Sequence, residues 1–256
     1  MARYQIIIAY DGTRFAGSQR QAHGAAVQAE LERALTGLGW QGKSILMAGR
    51  TDSGVHAAGQ VAAADLDWPH SENDLRNALN ASLPADIAAR DVRQVARDFH
   101  PRFDAISRRY RYRLFHQPVR DPLRERFAWR ISQEVDGELL RKAPKALLGT
   151  HDFASFGSPP KKGGSTTRTV LEATWSSLAD EWALELEANA FLYRMVRRMV
   201  YIQVAVAQGK LPLRAIRDAL SGKDGLPAGL APAHGLTLVQ VSYPADDDRN
   251  NVVSSL

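Results

Sequence analysis

The segment Ser107–His116 alternates side-chain type at every second residue: Ser-Arg-Arg-Tyr-Arg-Tyr-Arg-Leu-Phe-His. This period of two predicts a β-strand, because consecutive side chains of a strand point to opposite faces of its sheet. One face would be basic and the other apolar, with Arg109, Arg111 and Arg113 opposite Tyr110, Tyr112 and Leu114. Two interpretations stay open. The basic row could follow phosphates while the aromatic face stacks a base, or the arginines could simply extend from a half-buried strand into solvent.

The surrounding patterns predict a mixed α/β (α+β) fold with a mainly antiparallel sheet. Residues 3–10 form a β-type run, and Val27, Leu31, Leu35 and Leu38 form the apolar stripe of a helix over 25–38. Ser71 and Asp74 predict the start of a second helix. Further patterns predict a helix over 136–148 distorted by Pro144, a hairpin over 170–188 and a long helix over 191–208. We expect one body of two α/β halves, 1–104 and 105–244, and a frayed tail at 245–256.

Composition limits the function classes. The 33 Lys and Arg residues exceed the 28 Asp and Glu residues, giving a net charge of +5, which favours an acidic partner such as nucleic acid. The absence of cysteine excludes disulfides, thiolate metal sites and a cysteine nucleophile. No apolar run is long enough to predict a membrane span or a signal peptide. We therefore expect a cytoplasmic protein.

A glycine-rich segment, Ala48–Val61, lies between two apolar runs, 44–48 and 61–66. Glycines at 49, 54 and 59 permit positive φ angles and close approach of another backbone. Asp52 would then be presented on a tight loop held by strands, a common setting for reactive groups. The alternative is a structural turn in which Asp52 closes the loop and pairs with Arg50.

A second glycine-rich segment matches a phosphate-loop pattern. Residues 37–44, Gly-Leu-Gly-Trp-Gln-Gly-Lys-Ser, satisfy G-x-x-x-x-G-K-S. A functional phosphate loop follows a strand and begins a helix, so that the helix N-terminus faces the phosphates. This segment is predicted to do the reverse, ending a helix and leading into a strand. A nucleotide-binding role for Lys43 is therefore disfavoured.

Six segments together resemble the tRNA pseudouridine synthase A family. They are residues 10–19, 49–57, 99–112, 149–156, 189–197 and 231–238, which include Gly-Arg-Thr-Asp-Ser-Gly-Val-His-Ala at 49–57. The resemblance runs in order from about residue 3 to residue 243. It implies isomerisation of uridine to pseudouridine in the tRNA anticodon stem-loop, at tRNA positions 38–40. Because no atoms enter or leave in this reaction, we expect no metal and no cofactor. It also implies two halves with helices on one side of the sheet, a basic cleft between the halves, and a homodimer.

The resemblance also implies roles for individual residues. Asp52 would be the catalytic carboxylate, and Arg50 would pair with it or fill the space that the target nucleotide leaves. Tyr110 would stack on the uracil and help to remove the C5 proton. Arg194 and Arg197, with Arg198, would form a cationic side of the long helix that binds RNA phosphates, unless carboxylates neutralise them.

Several points remain open in the sequence. His56 is interpreted as a structural residue of the loop. The loop at 158–167 is either a flap that contacts RNA or a disordered segment. Tyr201-Ile202-Gln203 departs from the glycine-containing sequence of the family, which leaves the local packing open. The alternative functions are a non-catalytic RNA-binding protein and a phosphate-loop nucleotide-binding enzyme.

Overall fold

The computed structural model describes residues 1–223 and 225–244. The predicted tail at 245–256 lies outside the described residues. In the first half the elements are β1 (Ala2–Tyr10), α1 (Val27–Gly37), β2 (Leu46–Met47), β3 (His56–Leu66), α2 (Glu72–Ser82) and β4 (Ile87–Val95). In the second half they are β5 (Ser107–His116), β6 (Trp129–Ile131), α3 (Gly137–Lys142), β7 (Gly149–Asp152), β8 (Thr167–Leu178), β9 (Glu181–Ala188), α4 (Met195–Ala207), α5 (Arg214–Leu220) and β10 (Leu236–Ser242).

One sheet passes through both halves. Its strand order is β4-β1-β3-β10-β5-β9-β8-β7, with β2 added beside β3 and β6 beside β5. The pairs β3–β10 and β5–β6 are parallel, and the other pairings in the described residues are antiparallel. The mixed α/β class and the mainly antiparallel sheet are therefore confirmed. The last strand within residues 1–223 and 225–244 is β10, and it joins the two halves by pairing with β3 and with β5.

Two apolar clusters lie on either side of this junction. Tyr4, Ile6 and Ile8 of β1 pack with Leu31 and Leu35 of α1 in the first cluster. The second cluster surrounds α4 and includes Tyr112 and Leu114 of β5 with Leu184 and Leu186 of β9. The junction strand contributes to both, because Leu236 belongs to the second cluster and Leu238 and Val241 belong to the first. The relative position of the halves is thus fixed by packing as well as by strand pairing.

Most predicted helices are confirmed, with altered ends. Ser71 Oγ accepts from the Asp74 N–H at 3.1 Å and the Asp74 carboxylate accepts from the Ser71 N–H at 3.2 Å, so the capping box exists. The predicted distortion near Pro144 is present, since α3 ends at Lys142 and a 3₁₀ turn follows at Ala143–Leu147. The predicted helix over 191–208 begins only at Met195. Arg194, which precedes it, has a φ of 62°, a left-handed conformation that interrupts the helix.

The alternating strand β5 is confirmed, and its basic row is neutralised. Arg109 forms ion pairs with Glu187 at 2.5 Å and Glu172 at 2.8 Å. The remaining two pairs of this face are Arg111 with Glu185 and Arg113 with Glu181. These carboxylates belong to β8 and β9, so the row is a cross-strand ladder of charge pairs. This arrangement removes the interpretation in which the three arginines are free to follow RNA phosphates.

The phosphate-loop pattern at 37–44 is a helix-to-strand connection, as its element order indicates. Gly37 is the last residue of α1, and the element directly after Ser44 is the strand β2 rather than a helix. The Ser44 Oγ accepts from Gln28 Nε2 at 2.8 Å, and Glu32 Oε1 accepts from the Ile45 N–H at 3.1 Å. Buried side chains of α1 therefore occupy the inner side of this segment.

Candidate active site

The segment that carries Asp52 is held by backbone and side-chain contacts of the residue before it. The Ser18 N–H donates to the Thr51 carbonyl at 3.1 Å, and the Thr51 N–H donates to Ser18 Oγ at 2.8 Å. Thr51 Oγ1 also hydrogen-bonds the hydroxyl of Tyr10 at 2.8 Å, inside the first cluster. Thr51 is therefore buried and fixed to β1 and to the loop that follows it, which leaves Asp52 at the edge of a rigid support.

The glycines of this segment do different things. Gly54 has a φ of 77° and completes the turn in which the Val55 N–H donates to the Asp52 carbonyl at 3.1 Å. Gly59 lies inside β3, where an added Cβ would be 2.3 Å from the carbonyl oxygen of Val239 on β10. Gly49 has neither feature. The strand β3 begins at His56, so the loop is shorter than the sequence predicts and ends before Gly59.

The carboxylate of Asp52 is paired with an arginine of the other half. Its Oδ2 lies 2.9 Å from Nη1 of Arg197, and the two side chains are 22% and 16% exposed. Arg197 Nε donates to the carbonyl of Ala231 at 2.8 Å, and the Ala231 N–H donates back to the Arg197 carbonyl at 3.1 Å. The guanidinium is thus held by two acceptors at fixed positions. No described residue donates a hydrogen bond to Asp52 Oδ1.

Tyr110 lies between the two apolar clusters and packs against both. Its ring meets that of Phe191 edge to face, with centroids 5.1 Å apart and an interplanar angle of 88°. Burial raises the pKa of the Tyr110 phenol, and the neighbouring charge of Asp52 acts in the same direction. The phenol is therefore protonated at neutral pH, and it lies close enough to Asp52 for the carboxylate charge to affect its pKa.

His56 is buried at the start of β3 and makes contacts typical of a structural residue. Its Nδ1 accepts from the Gly12 N–H at 3.0 Å, so the hydrogen of the neutral ring is on Nε2, 3.1 Å from the His234 carbonyl. Burial lowers the pKa of the imidazole, and the nearby carboxylate of Asp11 opposes that shift. His56 links the first loop of the chain to the segment before β10.

The predicted pairing of Arg50 with Asp52 does not occur. Arg50 is exposed and has no hydrogen-bond or ion-pair partner among residues 1–223 and 225–244, because Arg197 takes the position beside the carboxylate. The three arginines of the long helix also separate. Arg194 is exposed with its guanidinium 4.7 Å from the ring centroid of Tyr193, whereas Arg198 donates to the carbonyls of Pro227 and Gly229.

Comparison with known proteins shows the family to which the chain belongs. A family model described as tRNA pseudouridine synthase matches residues 6–104 and 143–244. The chain belongs to the tRNA pseudouridine synthase family.

Full-length relatives agree with the family model. The tRNA pseudouridine synthase A of Aeromonas hydrophila subsp. hydrophila is 40% identical over 245 residues, which cover 95% of this chain and 91% of the relative. That of Limosilactobacillus fermentum is 38% identical, covering 98% of this chain and 100% of the relative. The tRNA pseudouridine synthase A of Syntrophotalea carbinolica is 38% identical, covering 96% of this chain and 98% of the relative. The protein is therefore an isomerase of the tRNA pseudouridine synthase family.

Similarity to solved structures is lower. A crystal structure of a Cbf5–Nop10–Gar1 complex matches 92% of this chain and 48% of the matched chain, with a TM-score of 0.40 and 12% sequence identity. Among the described residues, no helix is both long and apolar enough to cross a membrane.

Sequence reasoning missed one feature of the candidate site, the pairing of Arg197 with Asp52. The three like-charged arginines at 194, 197 and 198 indicated that an anion or a carboxylate would neutralise them. Nothing in the pattern identified Asp52 as that carboxylate, because the two residues are 145 positions apart. The role of the backbone at Ala231 also had no local signal.

Proposed function

We propose that this tRNA pseudouridine synthase isomerises uridine in the anticodon stem-loop of tRNA, at positions 38–40, with Asp52 as the catalytic carboxylate. One observation supports this assignment above the others. The Asp52 carboxylate is held by Arg197 through one oxygen, while its other oxygen accepts no hydrogen bond from the described residues and Tyr110 lies nearby. A carboxylate in this state is oriented by the protein and still has a reactive oxygen.

The reaction rearranges one nucleotide without gain or loss of atoms. The bond between C1′ and N1 breaks, the uracil turns, C1′ bonds to C5, and the C5 proton leaves while N1 gains one. A carboxylate suits the first step because it can form a covalent adduct and leave again. Asp52 Oδ1 would attack C1′ or C6, or assist a glycal-type route. In each case the carboxylate acts on a nucleotide that has been swung out of its stem.

Arg197 would act through Asp52 as a positioning residue. Its planar guanidinium contacts Asp52 with Nη1 and the Ala231 carbonyl with Nε. The carboxylate would thereby be held at a fixed position relative to the segment before β10. This role replaces the predicted contact of Arg197 with RNA phosphate. Tyr110 would stack on the uracil in its protonated form. Its raised pKa disfavours a phenolate as the base that removes the C5 proton.

Arg50 and Arg194 would bind the RNA. Both are exposed, and neither has a carboxylate partner among the described residues, so both charges are available for phosphate. Arg50 lies two residues before Asp52 and would fill the space that the target nucleotide leaves. The loop at 158–167 begins beside the residue that precedes Arg194, because the Tyr193 N–H donates to the Ser158 carbonyl at 2.9 Å. We interpret the loop as an RNA-contacting flap.

The resemblance to the family supports the remaining parts of the proposal, which are a homodimer as the working form and the cytoplasm as its location. The net charge of +5 supports a polyanionic partner. Neither a metal nor a cofactor is required by the chemistry, because the isomerisation adds no atoms or electrons to the nucleotide and removes none.

The proposal is tested by Asp52→Asn, which keeps the size and shape of the side chain. We expect pseudouridine formation on a tRNA transcript to fall about a thousandfold or more, while the Kd for the same transcript changes less than about threefold. The control is the parental protein, whose products are mapped by pseudouridine sequencing across the whole tRNA. Parental-rate turnover by the Asn variant would remove Asp52 from the chemistry, and modification outside the anticodon stem-loop would refute the substrate assignment.

A further inference from the structure

An aromatic side chain is exposed beside the catalytic loop, on the connection between the two halves. Phe103 is 76% exposed, although most large aromatic side chains of the chain are buried or half-buried. Its ring lies against the imidazole of His100, with centroids 4.3 Å apart, and the Arg102 guanidinium carbon is 5.9 Å from its centroid. The apolar clusters of the fold do not include Phe103. Its side chain therefore has no packing role that accounts for its position.

The backbone that presents Phe103 is rigid. The His100 N–H donates to the Asp104 carboxylate at 2.8 Å, and the Asp104 N–H donates to the His100 carbonyl at 3.1 Å. His100 Nδ1 accepts from the Arg102 N–H at 3.1 Å. The Arg102 carbonyl in turn accepts from Arg108, whose guanidinium also reaches the carbonyl of Ala48 at the entrance of the catalytic loop. An aromatic ring held in this way binds a ligand without loss of backbone freedom.

Arg102, beside Phe103, shares a cavity with Arg50 of the loop that carries Asp52. Arg50 and Arg102 line one cavity of about 140 Å³, together with Ser18, Gln19 and Gly49. Neither guanidinium has a carboxylate partner among the described residues, in contrast with the ladder of pairs on β5. The same cavity is next to Asp52, because Gly49 and Arg50 belong to its loop and Gly17, beside Ser18, bridges to Asp52.

We propose that Phe103, Arg102 and Arg50 form a second nucleotide-binding subsite, in which an unpaired base of the RNA stacks on Phe103 and the adjoining phosphates bind the two guanidinium groups. Stacking on an aromatic ring accepts any base, and phosphate contacts carry no sequence information. The subsite thus binds a nucleotide next to the target regardless of its base, while Asp52 acts on the target itself. This inference rests on the proposed function, since it places an RNA substrate at Asp52.

The test compares Phe103→Ala and Phe103→Trp, each made in the full chain with and without Asp52→Asn. For a tRNA transcript at fixed salt, Phe103→Ala should raise the Kd of the Asn form between about fivefold and a hundredfold, and Phe103→Trp should stay within about threefold of its parent. In the active form, Phe103→Ala should raise KM with little change in kcat. Leu178→Ala is the matched control, because Leu178 is 84% exposed on a distant hairpin and should leave the Kd unchanged.

The salt dependence separates the aromatic contribution from the ionic one. Phe103→Ala should leave the slope of log Kobs against log salt unchanged, and Arg102→Gln should reduce it by about one phosphate contact. An unchanged Kd in Phe103→Ala, or a Trp variant as weak as the Ala variant, would overturn the subsite. A loss of self-association measured by light scattering, with RNA affinity retained, would overturn it too and assign the patch to contacts between copies of the chain. Failure of the parental protein to form pseudouridine would refute the proposed function instead, and the binding comparison would still decide the subsite.

Discussion

The second half of the molecule contains two groups of three arginines with different partners. On β5, Arg109, Arg111 and Arg113 face glutamates of the neighbouring strands, and each is neutralised where it lies. At the start of α4, Arg197 binds Asp52 from the other half, while Arg198 binds main-chain carbonyls and Arg194 has no acidic partner in the described part of the chain. The first group is a ladder within one sheet, and the second links separate parts of the fold.

The difference follows from what lies within reach. Adjacent strands of a sheet place opposed side chains about 5 Å apart. Glu187 and Glu185 are directly opposite Arg109 and Arg111, and Glu181 is a diagonal neighbour of Arg113. The N-terminus of α4 instead faces loops, where the acceptors are the carboxylate of Asp52 and the carbonyls of residues 226–231. A charge paired across a sheet is available for little else. Arg194, which has no acidic partner among the described residues, keeps its charge available for another contact.

Among the arginine substitutions, the largest effect should come from Arg197→Lys. A lysine retains the charge but cannot bind Asp52 and the Ala231 carbonyl with two nitrogens in one plane. We expect kcat for pseudouridine formation to fall about a hundredfold, as for other displacements of a reacting group by about 1 Å, while the Kd for tRNA changes less than about threefold. The measurement is single-turnover kinetics on a tRNA transcript, with Arg113→Lys as the matched control on β5. A variant that lost affinity and kept its single-turnover rate would show that Arg197 binds phosphate after all.

The next effect concerns stability and Arg198. Its guanidinium donates to the carbonyls of Leu226, Pro227 and Gly229, and burial lowers its pKa. Removing a charged donor from several acceptors in Arg198→Ala should lower the free energy of unfolding by about 2 kcal/mol. Urea denaturation measures the change. Arg217→Ala, at an exposed position of α5, is the control and should stay within about 0.5 kcal/mol. An equal, small loss in both variants would mean that the carbonyl contacts of Arg198 add nothing.

The sequence predicts the strand β5 and its two faces, but not the ion pairs of its arginines or the contacts of the helix arginines, for a physical reason. Alternation along Ser107–His116 defines both faces of the strand, and a second alternating strand supplies the glutamates. The apolar stripe of α1 and the cap at Ser71 are likewise local signals. The Asp52–Arg197 pair depends on how two halves meet, and the insertion of β10 between β3 and β5 decides that geometry. No local pattern encodes the Asp52–Arg197 contact or the left-handed turn at Arg194 that shortens the helix.

A smaller effect is expected at Arg194. We expect Arg194→Asn to reduce the slope of log Kobs against log salt for tRNA by about 0.7 to 0.9, the value of one phosphate contact. Asparagine is chosen because it tolerates the φ of 62° at this position, so that only the charge and its reach are lost. Filter binding at four salt concentrations gives the slope. Arg111→Gln serves as the control, since the Arg111 guanidinium is paired with Glu185. Equal slopes for the parental protein and Arg194→Asn would place Arg194 outside the RNA interface.

The smallest effect is predicted within the ladder itself. Exposed ion pairs contribute about 0.2 to 1 kcal/mol, because solvent screens the charges and two long side chains lose freedom when they pair. A double-mutant cycle of Arg111→Gln and Glu185→Gln should therefore give a coupling free energy in that range, with turnover unchanged in all three variants. A coupling above about 2 kcal/mol would mean that the ladder stabilises the junction between strands far more than an exposed pair can. In that case the two groups of arginines would differ in the strength of their interactions as well as in their partners. The three ion pairs of β5 would then have to act as a single network.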